Sequence, residues 1–154
     1  MFEIYRYTDS DQSLWDDFVP NANNGTLFHL RSFLSYHPHD RFLDHSLLVN
    51  KKGKTFSVFP AAEQEIDGNR YLVSHPGSSV GSFVVNENLS IADSIDLVKS
   101  LISYSKRLKF DGIRITMPPN LYQRRLSNYM DFSFLRNNFN YSKREITSIL
   151  YLEN

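Results

Sequence analysis

The sequence contains no cysteine. Disulfides, thiolate nucleophiles and zinc-thiolate sites are therefore excluded from its chemistry. It has no excess of either charge: 17 basic residues balance 17 acidic ones, so no global field draws it to nucleic acid or an anionic membrane. It also has no apolar run near the roughly 20 residues that span a bilayer. The opening MFEIYRYTDSD brings acidic residues at once and lacks a basic stretch followed by an apolar one, unlike a secretory signal. These absences point to a cytoplasmic protein with no membrane span and no nucleic-acid partner. What it has in quantity is aromatic residues, 12 Phe and 9 Tyr among 154 positions, enough for one dense core or a ring-lined cleft, and a length that suits a single domain over 1–154.

Periodicity gives the order of elements. FEIYRY, Phe2 to Tyr7, alternates as a strand. Ser10 offers a cap for a helix from Asp11 to Phe18, closed by Pro20 and Asn23-Asn24-Gly25, and a second short helix over Leu30 to Tyr36 stops before Pro38. Three extended runs follow, SLLVN from Ser46, TFSVFPA from Thr55 and RYLVS from Arg70. The turns KKGK and Asp67-Gly68-Asn69 make them an antiparallel meander. Leu89 to Leu108 reads as the longest helix. Ser90 and Asp93 form a capping-box pattern, and Ile91, Ile95, Val98 and Ile102 recur at helical spacing beside Leu101 and Leu108. GIRITM, Gly112 to Met117, returns as a strand by a right-handed parallel crossover, Pro118-Pro119 ends it, Asp131 caps a helix through Asn137, and Arg144 to Leu152 reads as a closing strand. The expected class is α+β, a mixed α/β arrangement with a central mixed sheet flanked by helices. A cleft is expected where the meander meets the parallel crossover, since those neighbouring strands need not stay paired throughout.

Two stretches hold most of the chemistry. SHPGSSVGSF, Ser74 to Phe83, reads either as a tight turn, with Pro76 fixing one torsion and Gly77 and Gly81 freeing others, or as a cleft wall where Ser74, Ser78, Ser79 and Ser82 meet a phosphate or sugar hydroxyl. On the second reading His75 is a general base, since an imidazole titrates near pH 6.5. A Ser74–His75 nucleophile pair is disfavoured, because strand neighbours point to opposite faces. Tyr36, His37, His39, Asp40, Asp44 and His45 form the other cluster. Pro38 prevents the helix that would align His37 with His39, so no metal is expected and a polar loop is the simpler account.

The element order resembles the GNAT superfamily of acyl-coenzyme A dependent N-acyltransferases. GTLFHLRSFLSYHPHDRF, Gly25 to Phe42, followed by SLLV, FPA, SHPGSSVGSF and IRITMPPNLYQRR, resembles the first domain of Fem-like acyltransferases, which carry two GNAT-like domains in tandem. The resemblance covers nearly the whole chain. It implies transfer of an acetyl or aminoacyl group to an amine in cell-wall or cell-surface polysaccharide biosynthesis, and a chain that is the N-terminal half of a two-domain enzyme or works as a homodimer. It makes Arg31, Tyr36 and His37 acceptor contacts and carries to Tyr122 the role of protonating the departing thiolate. Arg124 and Arg125 would grip a phosphate or carboxylate. Acetyl-CoA or another acyl donor is the implied cofactor. In such domains the donor pyrophosphate rests on a glycine-rich loop running straight into the long helix; in this chain FVVNENL separates Ser82 from Ser90, which argues against donor binding by this domain. The competing reading is a noncatalytic GNAT-like binding or assembly domain whose donor loop has degenerated.

Overall fold

The computed structural model describes residues 2–38, 40–146, 148 and 150. Among these residues there are eight strands: β1 (Phe2–Arg6), β2 (Leu43–Asp44), β3 (Leu47–Lys51), β4 (Lys54–Phe59), β5 (Ala61–Ile66), β6 (Asn69–Ser74), β7 (Val84–Val85) and β8 (Gly112–Arg114). Four helices accompany them: α1 (Gln12–Asn21), α2 (Arg31–Leu34), α3 (Ile91–Arg107) and α4 (Tyr129–Arg136). The strands form two sheets, ordered β1-β3-β4-β7 and β2-β5-β6-β8. Pro60 separates β4 from β5; with no N–H to give a ladder, it splits the expected TFSVFPA run and passes the chain from one sheet to the other.

The parallel crossover is present as expected, but the expected three-strand meander is instead two hairpins in separate sheets, since β4 does not pair with β6 and the unexpected strand β5 takes its place. β3 pairs antiparallel with β4, β5 antiparallel with β6, and β6 parallel with β8 through the helix α3. The turns at Gly53 and Gly68 have positive φ at Lys52 and Gly53 and at Asp67 and Gly68, the pattern of two-residue hairpins. Period-two alternation along β3 divides the core. Leu47 and Val49 pack with Leu97, Leu101 and Phe134 of α3 and α4. Leu48 faces the opposite way, with Trp15, Val19 and Leu34 of α1 and α2. Burying a side chain the size of Leu stabilises the fold by about 1.5–3 kcal/mol, so both layers contribute.

Several boundaries differ from expectation. The Ser90 hydroxyl does cap α3, accepting the Asp93 amide at 3.1 Å. The buried stripe is nevertheless Ser94, Leu97, Val98, Leu101, Tyr104 and Ser105; Ile91 is exposed, and Ile95 and Ile102 lie at the stripe's edge. Two serines make this possible, because the Ser94 hydroxyl lies 2.7 Å from that of Ser133 and locks α3 to α4. α4 starts from Asn128, not Asp131, which sits in its first turn. The ladder of GIRITM stops at Arg114. The expected closing strand over Arg144 to Leu152 finds no ladder partner at residues 144–146, 148 and 150, and its other residues lie outside those described, as does His39. Among the described residues no helix is long and apolar enough to cross a membrane.

Candidate functional site

β6 and β8 run paired as far as Val73 and Arg114. Beyond that point the separation is bridged. The Ser74 hydroxyl accepts the Thr116 amide at 2.8 Å, and the Gly81 amide donates to the Thr116 carbonyl at 2.9 Å. Residues 75–80 thus leave the sheet and Gly81 returns to it. The excursion is a tight turn: the Ser78 amide reaches the His75 carbonyl at 3.1 Å and its hydroxyl reaches the Val80 carbonyl at 2.6 Å. Both glycines are needed for close approach. At Gly77 (φ +97°) a Cβ would come within 2.8 Å of the Phe42 ring, and at Gly81 within 2.8 Å of the Ser74 hydroxyl. Ser79 points to the exposed side of the turn.

This turn closes over a histidine shelf built from the second cluster. His37 Nε2 lies 3.2 Å from the Gly77 carbonyl, the His37 and His75 rings stack with centroids 6.4 Å apart, and Phe42 packs edge-on against both. His75 is only 3% exposed, and its Nδ1 is buried without a hydrogen-bond partner. Burial holds its pKa below the ordinary imidazole value, with the Arg31 charge acting in the same sense and Asp44 against it. His75 is therefore neutral at pH 7. Arg31 is buried beside the shelf: its guanidinium lies 3.8 Å from the Tyr7 ring centroid, donates to the Ser46 hydroxyl at 3.0 Å and forms an ion pair with Asp44. Burial alone would raise the Asp44 pKa; Arg31 and the Ser46 hydroxyl and amide outweigh it, and the carboxyl stays ionised below the usual range. Tyr36 is 83% exposed at the outer rim.

A second region opens where the chain enters α3. A cleft of about 180 Å³ lies between the segment Ser82–Leu89 and the stretch from Met117 to Met130. Its base is made by two asparagines that the sequence suggests only as helix terminators. The Asn24 amide behaves as a missing strand, donating to the Phe83 carbonyl and accepting the Val85 N–H, each at 2.8 Å. Asn23 fastens the opposite wall, with its Oδ1 accepting the Arg125 amide at 2.8 Å and its Nδ2 donating to the Arg125 carbonyl at 3.0 Å. His29, also missed by sequence reasoning, is fully buried and holds Gly81 from below, with Nε2 3.0 Å from the carbonyl. Because Nδ1 accepts the Thr26 amide at 3.1 Å, Nε2 carries the proton.

Ser82 faces the cleft in a left-handed conformation, φ +75°, with its buried hydroxyl unpartnered. Such a residue costs of order 1–3 kcal/mol and marks a candidate ligand contact. Arg125 stands on the opposite wall and reaches across, its guanidinium donating to the Glu87 carbonyl at 3.3 Å. Arg124 instead turns away to the Pro20 carbonyl. Tyr122, in a single 3-10 turn over Asn120–Tyr122, is 43% exposed and does not line the cleft. The structure therefore gathers Arg31, His37, Ser74, His75, Gly77 and Ser78 in one place and Ser82 with Arg125 in another, with Gly81 between them. Among the described residues no three His, Cys, Asp or Glu side chains converge in a way that could hold a metal.

No family model matches the chain, and no curated protein matches it at significance. Solved structures match over its whole length. A GNAT family acetyltransferase from Staphylococcus aureus superposes with a TM-score of 0.54 at 15% identity, covering 97% of this chain and 98% of its own. An aminoglycoside N-acetyltransferase in complex with CoA gives 0.56 at 12% identity, covering 99% and 96%. A transcriptional regulator from Bacillus halodurans C-125 gives 0.61 at 11% identity, covering 97% and 100%. The chain has a GNAT-like fold, which at these identities is a statement about architecture.

Proposed function

We propose that this chain is a GNAT-fold unit of a cytoplasmic N-acyltransferase that moves an acetyl or aminoacyl group to the amine of a sugar or cell-wall precursor, in the manner of Fem-like enzymes. One observation carries this reading. The cleft beside the start of α3 ends on a buried hydroxyl, Ser82, with no partner of its own. An acyl-CoA donor fits there in part. Ser82 and Arg125 are the groups that would hold its polar end. When bound, such a donor supplies an activated acyl carbon. Gly77 and Gly81, in close contact with Phe42 and Ser74, are no part of the donor site on this reading.

On the acceptor side Arg31, Tyr36 and His37 position the amine. An attacking amine must lose a proton as the new N–C bond forms, and His75, held neutral by burial, has a ring nitrogen without a partner to receive it. Tyr122 is the proposed donor of a proton to the leaving group. No covalent enzyme intermediate is needed, consistent with the missing cysteine.

The competing reading, a noncatalytic binding or assembly unit that works with a second GNAT-like domain, draws on the bridge from Ser74 and Gly81 to Thr116, which fills the furrow between β6 and β8. Calorimetry with acetyl-CoA separates the two. Heat of binding that is lost in Ser82→Ala supports the donor role. No binding to a folded protein assigns this chain to the noncatalytic class. Where transfer is measured, His75→Ala and Tyr122→Phe should lower turnover by about 10²–10⁴-fold for a lost acid or base, with thermal stability followed in parallel.

A further inference from the structure

Ser82 is gripped from both sides. The Gly81 carbonyl lies 3.0 Å from His29 Nε2, and the Phe83 carbonyl accepts the Asn24 side-chain amide at 2.8 Å. Both grips come from one short segment, Asn23 to His29, and both act on buried residues. A carbonyl fixed before Ser82 and another fixed after it leave the backbone between them little freedom, and there Ser82 stands at φ +75° on the wall of the cleft. Gly25 lets the gripping segment press against α1, because a Cβ at that position would collide with the Val19 carbonyl.

His29 is itself locked. The Trp15 indole N–H donates to its carbonyl at 2.7 Å, and the Thr26 amide and hydroxyl lie 3.1 and 2.9 Å from Nδ1. The ring is fully buried and can serve both ends only as a neutral imidazole, Nδ1 accepting from Thr26 while Nε2–H donates to Gly81. A second proton would go to Nδ1. There the Thr26 amide would meet an N–H instead of a lone pair, and even with the Thr26 hydroxyl turned to accept, the ring would carry a buried charge without a counter-ion. The charged groups on the neighbouring elements are engaged elsewhere: Asp16 of α1 accepts the Arg31 amide at 3.0 Å, Arg31 of α2 is paired with Asp44, and neither carboxylate is hydrogen-bonded to the ring. His75, in the turn ahead of Gly81, is likewise held neutral. Burial, the largest influence on His29, keeps its pKa below the ordinary imidazole value against the pull of both hydrogen bonds. His45 differs, because Glu63 lies 2.8 Å from its Nδ1 and pairs with the ring when it is charged.

We propose that His29 is a positioning residue of the Ser82 cleft: its neutral ring, through the Gly81 carbonyl, holds Ser82 in place for a ligand, and protonation of that ring releases the hold. Binding in the cleft is then turned off as the pH falls, by a side chain that is no part of the cleft lining. The ligand, acetyl-CoA, comes from the reading of this cleft as the donor's, whereas the hold on Gly81 is measurable without one.

The hold is read at the Gly81 amide, which donates to the Thr116 carbonyl at 2.9 Å. Its protection from hydrogen exchange should fall by about tenfold in His29→Leu, beyond any change at the β3 amides, for the loss of one hydrogen bond. It should recover in His29→Gln, whose side-chain amide keeps a donor near the position of Nε2 but does not titrate. In the unmodified chain the same protection should fall as the pH drops below about 6.5, a measurement that needs no variant to fold. Calorimetry with acetyl-CoA carries the effect to the cleft. From about pH 8 to about pH 5, affinity should drop about tenfold further in the unmodified chain than in His29→Gln, the ligand's own titration being common to both. Gly81 protection indifferent to His29→Leu and to pH overturns the proposal, as does an equal loss of affinity in the two chains. Failure of acetyl-CoA to bind at about pH 8 removes the donor reading instead, and the Gly81 measurement in the free protein upholds or overturns the hold by itself.

Discussion

The histidine shelf and the Ser82 cleft lie on either side of Gly81, and they differ in what they offer a ligand. The shelf has the titratable groups, His37, His75 and the Arg31–Asp44 pair, but they are packed ring against ring under the 75–80 turn. The cleft has room, an unpartnered hydroxyl and an exposed arginine, but no histidine on its walls. For the proposed reaction, which joins two substrates, such a division is informative. The proposed proton chemistry falls where water is excluded and the imidazole stays neutral, whereas the proposed donor contacts, Ser82 and Arg125, fall in the open cleft. The contrast depends on the two asparagines under the cleft and on the Gly81 bridge between the regions, so those positions are where it breaks first.

Asn24 should be the most costly to change. Asn24→Ala leaves the Phe83 carbonyl and the Val85 amide buried without partners, and each unsatisfied group costs about 1–3 kcal/mol. The expected loss is therefore about 2–6 kcal/mol, measured by urea unfolding. A loss below about 0.5 kcal/mol, the range of ordinary surface changes, would mean that the amide does not complete the strand. Gly81→Ala comes next. Its Cβ would meet the Ser74 hydroxyl and Cβ at 2.8 and 2.9 Å, and overpacking of this kind costs about 1–3 kcal/mol. The added methyl should also break the bridge to Thr116, seen as faster hydrogen exchange at the Thr116 amide.

The two regions also differ in how much of them the sequence reveals. Arg31, His37 and His75 fall in phrases dense with His, Gly and Ser, so their grouping is readable from residue type alone. Asn23 and Asn24 look like ordinary loop residues after a helix, and nothing local signals partners 59 to 102 positions away. The same contrast holds for the fold. α3, β1 and the parallel crossover announce themselves by periodicity and capping, because their patterns are local. β5 does not, since AAEQEI carries Glu63 inward to a part-buried hydrogen bond with His45 at 2.8 Å and a salt bridge with Arg70. A polar residue at a core-facing strand position defeats any reading by alternation. β7 is too short, at two residues, to carry a pattern.

Acid should act first through the buried histidines. His75, His29 and His45 all have pKa values lowered in the folded chain, first of all by burial. The unfolded chain binds protons as the pH falls below about 6.5, while the folded chain resists until lower pH. Stability is therefore fully present above about pH 6.5 and declines as the pH falls through the window down to the folded values, by at most about 1.4 kcal/mol per pH unit for each histidine. His75→Gln should flatten that decline while leaving stability at pH 8 less affected. An unchanged slope would show that His75 is solvated and titrates normally, which would remove the dry half of the contrast.

The smallest effect is expected at Ser82, and its sign makes it useful. A left-handed conformation is costly for serine and free for glycine, and the hydroxyl that Ser82→Gly deletes has no partner in the folded chain. This substitution should raise stability by about 1 kcal/mol, a few degrees in melting temperature for a chain of this size. If the hydroxyl exists to meet a ligand, the same change weakens acetyl-CoA binding by about tenfold, the worth of one hydrogen bond to a charged group. Gain in one measurement and loss in the other is the signature of a residue kept strained for function. A more stable protein whose binding is unaltered would leave Ser82 as strain without a purpose, and would take the cleft out of the donor's path.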